Sequence, residues 1–88
     1  MVGERLVRGF SPASAPTVEG LRERFTALTP REAEVLLHVA AGRTNAEVAA
    51  RLHLSVPTVK SHINAIFAKL QVRDRAQAVA LALAPDGP

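Results

Sequence analysis

Side chains suited to binding a polyanion are concentrated in residues 55–70, SVPTVKSHINAIFAKL, which contain two lysines and a histidine but no carboxylate. A helix advances by 100° per residue, so a helix over this segment would place its bulky apolar side chains on one face. The opposite side would present small, polar and cationic side chains: Pro57, Lys60, Ser61, Asn64 and Ala68. A carboxylate there would repel phosphate groups, so its absence favours a phosphate-rich partner.

The overall composition indicates one small helical domain. The chain has 88 residues, of which 48% are apolar, and a formal net charge of +3. Its apolar residues are mainly Ala, Leu and Val, a composition that favours helices over strands. It has no cysteine, which excludes disulfides and thiolate metal ligands. No apolar run reaches the roughly 18 residues of a membrane span, and no signal peptide is recognisable, so we expect a cytoplasmic protein. We also expect no cofactor.

Helix-capping signals divide the chain after residue 28 into four predicted helices. The sequences TPRE (29–32) and TNAE (44–47) have the spacing of capping boxes, and Ser55 and Asp74 are suitable N-caps. The apolar positions of the first helix cover more than one face, which predicts a central place in the fold. The helices are expected over residues 30–41, 45–52, 56–70 and 75–84. The predicted fold class is therefore all-α, a four-helix bundle.

The domain limits follow from a change in composition. Residues 1–27 include GFSPASAPTVEG (9–20), whose Pro, Ser and Gly content is typical of linkers. We interpret residues 1–27 as a linker or tail, in which residues 21–25 could form a single helical turn. The domain is predicted at residues 28–84, and residues 85–88 form a C-terminal tail.

The connection between the second and third predicted helices has only three residues, HLS (53–55). Such a short turn before a longer amphipathic helix is typical of the helix-turn-helix motif. In that motif the first helix packs across the second, and the second enters the major groove of DNA. The sequence therefore predicts that residues 56–70 form a recognition helix.

Four motifs in order extend this interpretation to most of the domain. They are LTPREAEVL (28–36), GRTNAEVA (42–49), SVPTVKSHI (55–63) and KLQVRDRAQAV (69–79). Together they resemble the LuxR-type helix-turn-helix domain of bacterial transcription regulators, found at the C-terminus of many response regulators. The resemblance implies sequence-specific DNA binding in a two-component system and no enzyme activity. One departure is Gln71, where the family usually has glycine after the recognition helix.

The resemblance also implies DNA contacts at eight positions. Contacts with base edges are implied for Lys60, Ser61 and Asn64. Contacts with the DNA backbone are implied for Asn45, Ser55, Thr58, His62 and Lys69. The chemistry is suitable, because lysine can donate to guanine O6 and N7, and asparagine can pair with adenine. No metal site is expected, because no further ligands are spaced to join His38, His53 or His62; the first two are predicted at the surface.

The last predicted helix, RAQAVALALA (75–84), has apolar side chains on two faces, and a domain of this size can bury only one. The family uses this helix for dimerisation, which implies a homodimer on an inverted-repeat operator. The predicted dimer interface comprises Ala78, Val79, Leu81 and Ala82. RNA polymerase is a further candidate partner. We also expect an ion pair between Arg75 and Glu32, because opposite charges lie at two helix starts.

Three alternative functions agree less well with the sequence. Region four of a bacterial sigma factor has a similar recognition helix but ends soon after it, whereas this chain continues with RAQAV (75–79). A helix-turn-helix that binds protein instead of DNA would be favoured by acidic residues on the outward face, and there are none. An enzyme is the poorest alternative, because the chain has no cysteine, no paired carboxylates near a histidine and no glycine-rich phosphate loop.

Overall fold

Every helix in the computed structural model, which describes residues 15–84, begins at a side chain that caps its first turn. In each case a side-chain oxygen accepts a hydrogen bond from the backbone N–H three residues later. The capping residues are Thr17, Thr29, Thr44, Ser55 and Asp74. Both predicted capping boxes are present, with Glu32 and Glu47 returning to the backbone N–H of Thr29 and Thr44. The sequence signals therefore identify the starts of all four predicted helices.

The described residues form five α-helices. These are α1 (Val18–Arg24), α2 (Pro30–Ala40), α3 (Asn45–Leu52), α4 (Val56–Leu70) and α5 (Arg75–Leu83). The all-α fold class is confirmed, and α2–α5 correspond to the four predicted helices. Helix α2 packs against each of the other four, which explains why Val35, Leu36 and Val39 are almost completely buried. None of the helices in residues 15–84 is long and apolar enough to cross a membrane.

Helix α1 lies inside the segment interpreted as a linker, and here the structure differs from the prediction. Leu21 is only 1% exposed and belongs to the hydrophobic core. The guanidinium group of Arg24 donates to the carbonyl oxygens of Leu81 and Ala82 at 2.8 and 3.1 Å. These carbonyls belong to the last turn of α5, where no i+4 N–H of the helix is available; the Leu81 oxygen also accepts from the Ala84 N–H at 3.3 Å. Part of residues 1–27 is thus packed on the domain; the linker prediction for residues 1–14 and the tail prediction for 85–88 lie outside the described residues.

Helix α4 ends at Gln71 in the left-handed conformation, with φ 57° and ψ 44°. A side chain with a Cβ atom is strained in this region, whereas glycine is not. The departure from the family pattern at this position therefore leaves the cap geometry in place, with the Gln71 N–H donating to Phe67 and Ala68 carbonyls. Gln71 is therefore strained at a position where glycine would not be.

Replacing Gln71 with glycine is expected to raise the free energy of unfolding by about 0.5–1 kcal/mol, because relief of strain exceeds the entropic cost of glycine. Urea unfolding monitored by circular dichroism measures the change. Ala68→Gly, at an exposed position in the last turn of the same helix, is the matched control and should destabilise by about 0.5–1 kcal/mol. Equal destabilisation by both substitutions would show that Gln71 is not strained.

Candidate nucleic-acid interface

Helix α3 supports α4 through a shared core. Val48 and Ala49 of α3 are buried in the same cluster as Val59 and Ile63 of α4. The turn between the helices is tight because His53 adopts a left-handed conformation, with φ 57°. The two helices thus form a rigid unit in which one face of α4 is held inward and the other faces solvent.

The outward face of α4 has the composition predicted from the helical wheel. Lys60, Ser61 and Asn64 are exposed, and His62 is half-buried at the edge of this face. Helix α4 contains no carboxylate along its whole length. The predicted exposure of the three base-contacting candidates is confirmed, whereas their contacts with bases stay a prediction.

The N-terminus of α4 presents two hydroxyl groups. Ser55 Oγ accepts a hydrogen bond from the Thr58 N–H at 3.2 Å and donates to Thr58 Oγ1 at 2.9 Å. The hydroxyl hydrogen of Thr58 therefore remains available for an acceptor outside the protein. Both residues are exposed, and a helix N-terminus favours a negatively charged group such as phosphate.

Helix α3 begins with Asn45, whose side chain is held by the last helix. Asn45 Oδ1 accepts a hydrogen bond from Arg75 Nη1 at 2.7 Å, and Arg75 Nη2 donates to the carbonyl oxygen of Arg43 at 2.5 Å. Asn45 is half-buried. Glu47 occupies the Thr44 N–H, so that backbone donor is not available to a ligand.

The predicted ion pair between Arg75 and Glu32 is wrong. Glu32 Oε1 instead accepts from Lys69 Nζ at 2.7 Å, because Lys69 in the last turn of α4 lies beside the start of α2. Its side chain is 33% exposed. Of the eight predicted DNA contacts, Lys69 is therefore the one whose charged group is already used within the domain.

The predicted dimer interface requires a correction at two positions. Ala78 and Ala82 are 0% and 1% exposed, because they lie on the face of α5 that packs against α2. These two side chains are not accessible to a partner copy. Val79 and Leu81 are half-buried. The exposed apolar stripe of α5 is formed instead by Ala76, Ala80 and Leu83, of which Leu83 is 52% exposed.

An open, mainly apolar groove runs beside this stripe. It lies between the end of α2 and the first turns of α5 and is lined by Val39, Gly42, Arg75, Ala76, Val79 and Ala80. The sequence identified two apolar faces on this helix, and two of the four residues predicted at the interface, Ala78 and Ala82, lie on the buried face. The apolar pattern alone does not determine which face meets α2.

Of the two histidines predicted at the surface, His53 is exposed and His38 is half-buried. The Nδ1 atom of His38 is buried and has no hydrogen-bond partner among residues 15–84. Burial, together with the charges of Arg43 and Arg51, lowers the pKa of His38 below its usual value, although Glu34 opposes this. Within the same residues, no cluster of His, Asp or Glu side chains could hold a metal ion.

The tight turn, the bracing helix α3 and the exposed acid-free face of α4 together define a helix-turn-helix protein. The family model of the bacterial regulatory proteins of the luxR family matches residues 26–82. The chain belongs to this family and contains its DNA-binding helix-turn-helix domain.

Relatives of the chain include response regulators. The chain is 47% identical over 57 residues to the response regulator protein VraR of Staphylococcus aureus, Staphylococcus saprophyticus and Staphylococcus epidermidis. The similar region makes up 65% of this chain and 27% of each relative. The chain therefore spans about a quarter of the length of these relatives.

Proposed function

We propose that residues 28–84, with α1 packed against them, bind double-stranded DNA as the effector domain of a cytoplasmic response regulator. In this proposal α4 lies in the major groove, where its width admits one helix. The observation that supports it best is the exposed face of α4, which combines Lys60, Ser61 and Asn64 and lacks any acid. The same observation opposes a protein-binding role for this face.

The proposed contacts separate into two kinds. Lys60, Ser61 and Asn64 contact base edges and determine the preferred sequence, since base contacts carry sequence information. Contacts with phosphates supply affinity and fix the orientation of the domain. The proposed phosphate contacts are Asn45, Ser55, Thr58 and His62, with Lys69 contributing least because Glu32 binds its ammonium group.

The proposed regulator binds as a two-fold homodimer through α5. The exposed stripe of Ala76, Ala80 and Leu83, together with half-buried Val79, provides an apolar surface for a second copy. A two-fold dimer would place two α4 helices about one turn of DNA apart and would require an inverted repeat. RNA polymerase is a further proposed partner of the bound regulator.

Selection from a random DNA pool, followed by sequencing, tests this function. We expect enrichment of an inverted repeat. If each protomer neutralises ~3 phosphates, the dimer neutralises ~6, and the logarithm of affinity should fall against the logarithm of salt with a slope of about −5. A single enriched half-site would keep DNA binding but contradict the dimer. No enrichment and no binding at low salt would favour a protein-interaction module.

A further inference from the structure

Arg75 connects three parts of the domain that are distant in sequence. It is the first residue of α5, and its guanidinium group reaches both the loop before α3 and the first residue of α3. The distances are 2.7 Å from Nη1 to Asn45 Oδ1 and 2.5 Å from Nη2 to the Arg43 carbonyl oxygen. Hydrogen bonds from a charged donor are stronger than neutral ones. Arg75 therefore fixes the start of α3 relative to α5.

The chemistry of the two side chains determines how the Asn45 amide is oriented. A guanidinium group has only donors, so the amide atom that faces Arg75 must be the oxygen. The Asn45 nitrogen, with its two hydrogens, then faces away from Arg75. Among residues 15–84 no acceptor binds this nitrogen. A half-buried side chain is thus held with its donor group unused at the N-terminus of an eight-residue helix.

We propose that Arg75 is a positioning residue for DNA binding: it holds the Asn45 amide so that Nδ2 donates to a phosphodiester oxygen. This inference rests on the proposed function, since it assigns a phosphate to α3 in the bound state. In this proposal Arg75 acts through Asn45: one hydrogen of each terminal nitrogen is donated within the domain, to Asn45 Oδ1 and to the Arg43 carbonyl oxygen. The salt dependence of binding tests whether its remaining N–H groups contact DNA.

A double-mutant cycle tests the proposal in the full 88-residue chain. The variants are Arg75→Gln, Asn45→Ala and their combination, with Arg31→Gln as a matched control on an exposed part of α2. Affinity is measured for the selected operator and for an unrelated duplex over a range of salt concentrations. Circular dichroism identifies a temperature at which every variant is folded. Arg75 also lines the groove beside α5, where the dimer is proposed to form, so sedimentation checks that each variant keeps its oligomeric state.

Each single substitution is expected to weaken binding about fivefold on both duplexes, because each of the two protomers loses one hydrogen bond to phosphate. The double variant should bind no more weakly than either single variant, since Arg75 acts only through Asn45. The salt slope should be unchanged, because no cation is removed from a phosphate. Arg31→Gln should bind like the wild type. Arg75→Lys replaces Arg75→Gln in the cycle if the latter does not fold, since lysine lacks the planar fork whose two nitrogens bind the two acceptors separately.

Three results would overturn the inference while the proposed function stands. Multiplicative losses, about 25-fold in the double variant, would mean that the two residues act independently. A slope reduced by about 0.9 for each lost contact would mean that Arg75 itself binds phosphate. Wild-type affinity in Arg75→Gln would remove its role altogether. Absence of wild-type binding to either duplex at low salt would overturn the proposed function and this inference together.

Discussion

Replacing Glu32 with alanine is expected to lower the free energy of unfolding by about 2–3 kcal/mol. Glu32 is only 6% exposed and is the one buried charged residue among residues 15–84. Its carboxylate accepts from the Thr29 N–H at 2.9 Å and from Lys69 Nζ at 2.7 Å. Alanine would remove the second half of the capping box and leave the ammonium group of Lys69 beside a buried helix start without a counter-charge. Urea unfolding at neutral pH measures the loss.

A matched control lies two positions further along α2. Glu34 forms an ion pair with Arg31 at 3.2 Å, and both side chains are more than 40% exposed. Exposed pairs contribute little because solvent screens them, so Glu34→Ala should change stability by less than about 0.5 kcal/mol. Equal losses in the two variants would mean that helix propensity, and not the buried carboxylate, determines the effect.

The same carboxylate should make stability depend on pH. Burial would raise the pKa of Glu32, but hydrogen bonds from Lys69 and Thr29 and the charge of Lys69 together lower it below the ordinary value of 4.5. Because the pKa is lowered in the folded state, the unfolded state binds protons first as the pH falls. The stabilisation is present above pH 4.5 and is lost as the pH falls through the folded-state pKa. Glu32→Ala should lose less stability over that range than the wild type.

Local signals predicted the starts and the class of the helices α2–α5. The capping boxes at Thr29 and Thr44 depend only on residues three positions apart, so they are visible in the sequence and present in the structure. Helix α1 was anticipated only as a possible single turn at residues 21–25, because seven residues with one buried leucine show no helical periodicity. Its stability depends on packing against α2 and on Arg24 binding carbonyls at the end of α5, and neither contact is local.

In the candidate site, too, features that depend on residues close in sequence could be predicted, whereas contacts between distant residues could not. The exposure of Lys60 and Asn64 could be predicted, because their angular distance from the apolar stripe around α4 follows from their positions in the sequence. The bond between Arg75 and Asn45 joins residues 30 positions apart, and no spacing rule indicates it. On α5, Ala78 and Ala82 are buried because their small side chains face α2 in the packed domain. Which face of α5 meets α2 depends on how the two helices cross, and the sequence does not show this.

Replacing Lys60 with alanine is expected to weaken binding to the selected operator by about 1–3 kcal/mol, or roughly 5- to 150-fold. Lys60 is exposed on the acid-free face of α4, and its ammonium group can reach acceptors on base edges or phosphates. Competition binding against the operator and an unrelated duplex measures the change. Folding should be unaffected, because an exposed lysine is replaced by a better helix former, and thermal unfolding of the variant is the control.

The pattern of the loss distinguishes the two kinds of contact. If Lys60 donates to a base, operator binding falls more than binding to the unrelated duplex, and a new selection shows relaxed preference at one position of each half-site. If Lys60 binds a phosphate, both duplexes are weakened equally and the salt slope of the dimer falls by about 2, since each protomer loses one contact. Unchanged affinity for both duplexes would contradict the docking of this face of α4 in the major groove, because a central lysine on a groove-facing helix would then contact nothing.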